Sequence, residues 1–155
     1  MEDRQLIQIV DAALAEAARK SGSWLACRPG CTQCCHGPFP ISDIDVARLR
    51  QGLAELDPAR AALIRQRATA EQGDDDPCPV LDPVTGHCEL YAHRPLTCRT
   101  FGPALLQNEN IVGVCELCYI GATDEEIADC AVPLDVESLD QSPDETTIAL
   151  ALRLR

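Results

Sequence analysis

The chain has 155 residues, 46% of them apolar, and 13 Lys and Arg set against 25 Asp and Glu leave a formal charge of −12. That length and apolar share suit one small domain and exclude a collagen-like or wholly disordered chain. An acidic chain without a basic stretch is repelled by phosphate backbones and anionic lipid, so neither nucleic acid nor a membrane is expected as the main partner.

An N-terminal helix is expected within residues 1–20, where Leu6, Val10, Ala13, Leu14 and Ala17 recur at helical spacing. Glu2, Asp3, Arg4, Asp11, Glu16, Arg19 and Lys20 interrupt any apolar run there, which argues against a signal peptide. No window reaches about 18 apolar residues, the length a membrane span needs. The expected home is therefore the reducing cytoplasm, where many cysteines point to metal or redox chemistry rather than disulfides.

Residues 21–41 gather Gly, Pro and four cysteines and read as a loop that wraps something. Ser42 reads as the N-cap of a helix that carries Val46, Leu49, Leu53 and Leu56. Asp57-Pro58 supplies a cap and a first-turn proline for a further helix with Ala61, Leu63, Ile64 and Ala68. The run Gly73-Asp74-Asp75-Asp76-Pro77 ends it as a solvated linker, lacking the spaced ligands of a calcium loop. From Cys78 to Cys118 turn residues dominate, with one hairpin strand expected at Ile111–Val114 against residues near Leu105. Thr123 followed by Asp124, Glu125 and Glu126 starts another helix, and residues 145–154 suit a last helix or strand.

Ten cysteines against two Phe, two Tyr and one Trp are the outlier of the composition. Cys27, Cys31, Cys34 and Cys35 form a C-x3-C-x2-C-C block, and such short spacing brings several thiolates to one centre with little loop-closure cost. Buried free cysteines that act as small hydrophobes need no such clustering. Cys78, Cys88 and Cys98 follow at even spacing in turn-rich sequence. Three thiols leave a tetrahedral centre one ligand short, and Cys115 is the nearest further sulfur. The eight sulfurs at Cys27, Cys31, Cys34, Cys35, Cys78, Cys88, Cys98 and Cys115 are the expected metal ligands, enough for two four-coordinate centres or one multinuclear cluster. Cys115-x2-Cys118 is also a pair that suits either a ligand knuckle or a dithiol, and solitary Cys130 reads as core.

An all-sulfur donor set favours zinc, iron–sulfur clusters or copper(I) over magnesium and calcium. Arg94 and Arg99 flank Cys98 and suit neutralising the thiolates, while His36, His87 and His93 are expected in supporting or solvent roles. Cys27-x3-Cys31-x2-Cys34 also matches the triplet of radical S-adenosylmethionine enzymes, but the chain is too short for their barrel. No P-loop, dinucleotide-binding turn or H-E-x-x-H is present.

The segments Cys27-Arg28-Pro29-Gly30-Cys31-Thr32-Gln33-Cys34-Cys35, Cys78-Pro79-Val80-Leu81, Gly86-His87-Cys88-Glu89-Leu90-Tyr91 and Arg94-Pro95-Leu96-Thr97-Cys98-Arg99-Thr100-Phe101-Gly102 closely resemble the YkgJ-like cysteine cluster family. Its members carry a CxxCxxCC-type zinc- or iron-chelating domain, and the likeness covers about residues 24–118. The first gap here is three residues rather than two. The resemblance implies a small cytoplasmic chelating domain. A flagellin lysine methylase resembles the same family and uses an iron–sulfur centre, which supplies an enzymatic alternative of redox chemistry or protein lysine methyl transfer.

The expected fold is mostly α with a small irregular or β cysteine-rich region, one domain over residues 1–155 organised around a metal centre, with chelation in residues 24–118. The expected function is binding of zinc or an iron–sulfur cluster without catalysis of its own. No catalytic residue is assigned, and the implied partner is a metal ion, with a protein partner left open.

Overall fold

The computed structural model describes residues 2–27, 31, 32 and 34–153. Helices dominate and the sheets are small, as the periodicity predicts. The chain forms two compact units: residues 1–28 with 99–141, and residues 29–98 with 142–155.

In the first unit, α1 (Asp3–Ser21) turns a stripe of Leu6, Val10 and Ala17 inward, each 1% exposed or less, with Ala13 and Leu14 half-buried at its border. Full burial of a Leu or Val side chain stabilises by about 1.5–3 kcal/mol. The helix stops at Gly22, whose φ of +53° suits a residue without a Cβ and whose N–H donates to the Ala18 carbonyl. α1 packs on α5 (Asp124–Cys130) and β4 (Val132–Pro133). α5 opens with a capping box in which Thr123 Oγ1 accepts from Glu126 N and Glu126 Oε1 accepts from Thr123 N. β2 (Leu105–Gln107) pairs antiparallel with β3 (Asn110–Val112) and parallel with β4. Asn108 and Glu109 take φ of +49° and +67°, the two left-handed positions of a tight hairpin turn. The expected strand at 111–114 therefore starts one residue earlier, and it ends at Val112 because Gly113 bends away. α6 (Val136–Leu139), capped by Asp135, and β4 carry no strong sequence signal.

In the second unit, Ser42 and Asp45 form the capping box of α2 (Asp43–Glu55), and Asp57 caps α3 (Pro58–Ala68) with Pro58 in its first turn. Residues near the C-terminus form β5 (Asp144–Thr147) and α7 (Ile148–Arg153), so both readings of 145–154 are realised in succession. β5 pairs antiparallel with β1 (Pro40–Ser42), whose first two residues lie inside the stretch read as loop. α2 and α3 pack on α7, burying Leu49, Leu53, Ile64 and Leu152 with Ile41, Val80 and Leu90. Arg153 donates to the carbonyls of Ala68 and Ala70, closing the last turn of α3. Leu63, grouped with the apolar face from sequence, is 54% exposed because it stands one residue short of the Ala61, Ile64 and Ala68 stripe.

Candidate metal centre

In the first unit the sulfurs of Cys27, Cys115 and Cys118 all lie within 4.8 Å of one another. The Cys27 and Cys118 sulfurs are 3.5 Å apart. Cys115 and Cys118 are buried, and Cys27 is half-buried. The Cys115-x2-Cys118 turn closes through Cys118 N donating to Cys115 O at 2.9 Å, and Leu117 N points at Cys115 Sγ at 3.4 Å. Ala26 N donates to Cys118 Sγ at 3.3 Å. Backbone N–H groups aimed at sulfur stabilise the thiolate and fix its direction.

Several residues that spacing alone does not mark build this site. Tyr119 donates its N–H to Trp24 O at 2.8 Å, while its hydroxyl accepts from Ala104 N at 2.8 Å and shares a 2.7 Å hydrogen bond with Ser21 Oγ. These bonds hold the chain before Cys27 beside the chain after Cys118. Tyr119 pays for its place with a φ of +59°, a strained position for a side-chain-bearing residue. Gly102 faces Cys27, and a Cβ there would overlap its sulfur; its φ is +129°. Gly102 O also accepts from Cys115 N at 3.1 Å, so one glycine aligns two of the thiols.

The donor set fits a metal. Zn–S bonds of about 2.3 Å in a tetrahedron put neighbouring sulfurs about 3.8 Å apart. The 3.5 Å between Cys27 and Cys118, with all three sulfurs within 4.8 Å of one another, agrees with that spacing.

Six more sulfurs belong to the second unit. Cys78 N donates to Cys35 O at 2.9 Å, and His36 bridges Pro77 in antiparallel fashion, so the Cys34-Cys35 pair and Cys78 share a short stretch of ladder. Beyond Cys78 the chain makes a hairpin: Leu81 bridges Cys88, Glu89 N donates to Val80 O, and Asp82 Oδ1 accepts from Val84 and Thr85 at its tip. Glu89 then holds Arg60 and Arg67 of α3 at 3.0 and 2.6 Å, anchoring that hairpin. Cys98 lies in α4 (Leu96–Thr100), and buried Asp45 accepts from Leu96 N at 2.9 Å while pairing with buried Arg48 at 2.7 Å. Cys78, Cys88 and Cys98 pack against the same apolar cluster. Cys31 is half-buried and Cys34 is exposed in the loop before them.

Burial pushes Cys78 up to about 11 and raises Cys88. Burial, then the charges of Cys78, Cys88 and Cys34, pushes Cys98 up to about 12. The hydrogen bond between Cys34 and Cys35 lowers Cys34 to about 6, with smaller help from Arg94 and His36, and raises Cys35. Arg94 stacks on Tyr91 at 3.8 Å and is the cation nearest in effect to Cys34, Cys88 and Cys98. Arg99 instead forms an ion pair with Asp11 at 3.0 Å. His93 meets Glu55 at 3.3 Å and lies on α2 at Gly52, where a Cβ would stand 2.6 Å from its ring. Cys130 is buried with its thiol 3.5 Å from Lys20 O, as a core residue is.

The cysteines are not joined in disulfides. Among the described residues no helix is long and apolar enough to cross a membrane. No curated protein and no solved structure matches the chain. The family described as "CxxCxxCC: Putative zinc- or iron-chelating domain" matches residues 26–119, a span that includes nine of the ten cysteines and the whole trio of the first unit. The chain belongs to the CxxCxxCC family.

Proposed function

We propose that the protein is a thiolate metal-binding protein, with zinc as its ion and residues 24–118 as its chelating region. The observation that carries this is the convergence of Cys27, Cys115 and Cys118 within 4.8 Å. Each thiolate of a cubane cluster sits on a separate iron, so its sulfurs stand further apart than three ligands of one ion. The trio's spacing therefore favours a single ion. Because Cys115 and Cys118 are 5% exposed, a substrate has poor access to an ion held there, which supports a structural or storage role over catalysis. The thiols at all ten positions suit a reducing compartment such as the cytoplasm. A formal charge of −12 favours metal cations over nucleic acid as partners.

The test is anaerobic purification followed by assays for zinc, iron and acid-labile sulfide. Colourless protein with stoichiometric zinc supports the reading. A brown protein with labile sulfide transfers it to iron–sulfur chemistry, and protein with no stoichiometric transition metal overturns it.

A further inference from the structure

We propose that residues 1–28 with 99–141 hold a self-contained single-ion site of Cys27, Cys115 and Cys118, filled independently of Cys34, Cys35, Cys78, Cys88 and Cys98. This rests on the thiolate-binding reading above and deepens it by assigning the sulfurs. Even spacing offers Cys115 as the sulfur nearest to Cys78, Cys88 and Cys98 along the chain. The fold brings it instead to Cys27 and Cys118.

Among the described residues, the groups seen to orient the trio belong to the same unit. Ala26 N and Leu117 N point at two of the sulfurs, Gly102 makes room for the third, and Tyr119 ties Ser21, Trp24 and Ala104 around them. A site whose ligands and their supports form one packed cluster is organised before the ion arrives, which favours occupancy without help from elsewhere. The other sulfurs have supports of their own within residues 29–98: the Cys35–Cys78 backbone bond, the Leu81–Cys88 bridge, and Asp45 beneath Leu96. Binding at the trio turns three thiols into thiolates, with their three protons passing to solvent. Three thiolates around Zn²⁺ leave one tetrahedral position for a further donor.

The experiment uses the full reduced chain, loaded with cadmium in place of zinc and followed by cadmium NMR and metal counting. Wild-type protein is expected to give a thiolate-shifted resonance that Cys27→Ser and Cys118→Ser each abolish and that Cys78→Ser and Cys98→Ser each retain. The last two variants change no residue of the first unit, so they decide the matter even where the first two fail to fold. Loss of that resonance in Cys78→Ser or Cys98→Ser overturns independence, as does its survival in Cys118→Ser. Wild-type protein that binds no cadmium or zinc fails the chelation reading itself, a distinct result from bound metal that all four variants lose together.

Discussion

The thiol of Cys27 stands 3.5 Å from that of Cys118, across 91 positions of sequence. At that distance the two sulfurs need only a small approach to reach disulfide bonding, at about 2.05 Å. Metal-free protein treated with oxidised glutathione is expected to cross-link Cys27 to Cys118 as glutathione disulfide is reduced to two thiols. Zinc-loaded protein should resist, because its thiolates are engaged. Peptide mapping after alkylation reads the difference, and equal cross-linking with and without zinc contradicts a shared ion.

Gly102→Ala places a methyl group against the Cys27 sulfur at a backbone φ of +129°. Strain of this kind costs about 1–3 kcal/mol, and moving a ligand off its ion weakens binding in proportion. Zinc affinity in a chelator competition should fall about 10–100-fold. Gly121→Ala has a φ of +82° but meets nothing within 4 Å, so it should leave zinc affinity at the wild-type value.

Asp45→Ala removes the carboxylate that pairs with buried Arg48 and accepts from Leu96 N. Leaving one charge of a buried pair uncompensated costs about 3–5 kcal/mol, a large part of the about 5–15 kcal/mol that holds a domain folded. Urea unfolding should show a loss of unfolding free energy of that size. A loss below about 1 kcal/mol would mean that the pair adds no more than an exposed one does.

In metal-free protein the Cys78 and Cys98 thiols are raised from an ordinary value of 9.0 to about 11 and about 12, chiefly by burial. The fold favours their neutral form, so their contribution to stability is complete below pH 9 and disappears as pH climbs through about 11 to about 12. Thermal melts of metal-free protein should therefore decline across that window, and Cys78→Ala should flatten the decline. Below it, a metal using these sulfurs must displace their protons, so apparent zinc affinity should rise with pH by about tenfold per unit for each proton released.

Zinc removal should loosen residues 99–122 more than α2, α3 and α7. Apart from Tyr119, the fully buried members of the trio's cluster are small, namely Ala104, Ala131 and cysteines, while Trp24, Leu25, Val114 and Ile127 pack around them only partly buried. The second unit buries Ile41, Leu49, Leu53, Ile64 and Leu152 in one cluster of large apolar side chains. Amide exchange with and without zinc, followed by mass spectrometry, checks this; uniform protection after verified removal contradicts a structural role for the ion.

Elements with local causes were legible in the sequence. Ser42 with Asp45, Asp57 with Pro58, and Thr123 with Glu126 each mark a helix start through side chains a few residues apart, and the Asn108-Glu109 turn marks its hairpin. Pairing between distant segments leaves no such local trace, which is why β1 with β5 and β2 with β4 emerge only from the fold. The same reason governs the site. The clustering of Cys27 to Cys35 announces chelation, but the partners of Cys27 depend on Gly102, Gly113 and Tyr119 bending and bonding the chain, and their roles follow from a closeness in space that spacing does not encode. The Cys115-x2-Cys118 pair is the signal that pointed to Cys118.

The interleaved path of the chain, in which residues 1–28 wait for 99–141 and residues 29–98 wait for 142–155, has a consequence during synthesis. A nascent polypeptide leaving the ribosome exposes Cys27 to Cys35 well before Cys118 or β5 has been translated. Those early thiols meet cellular oxidants, chaperones and stray ions while both halves of the molecule are still incomplete, so protection of the growing chain falls to the redox state around it rather than to its own architecture.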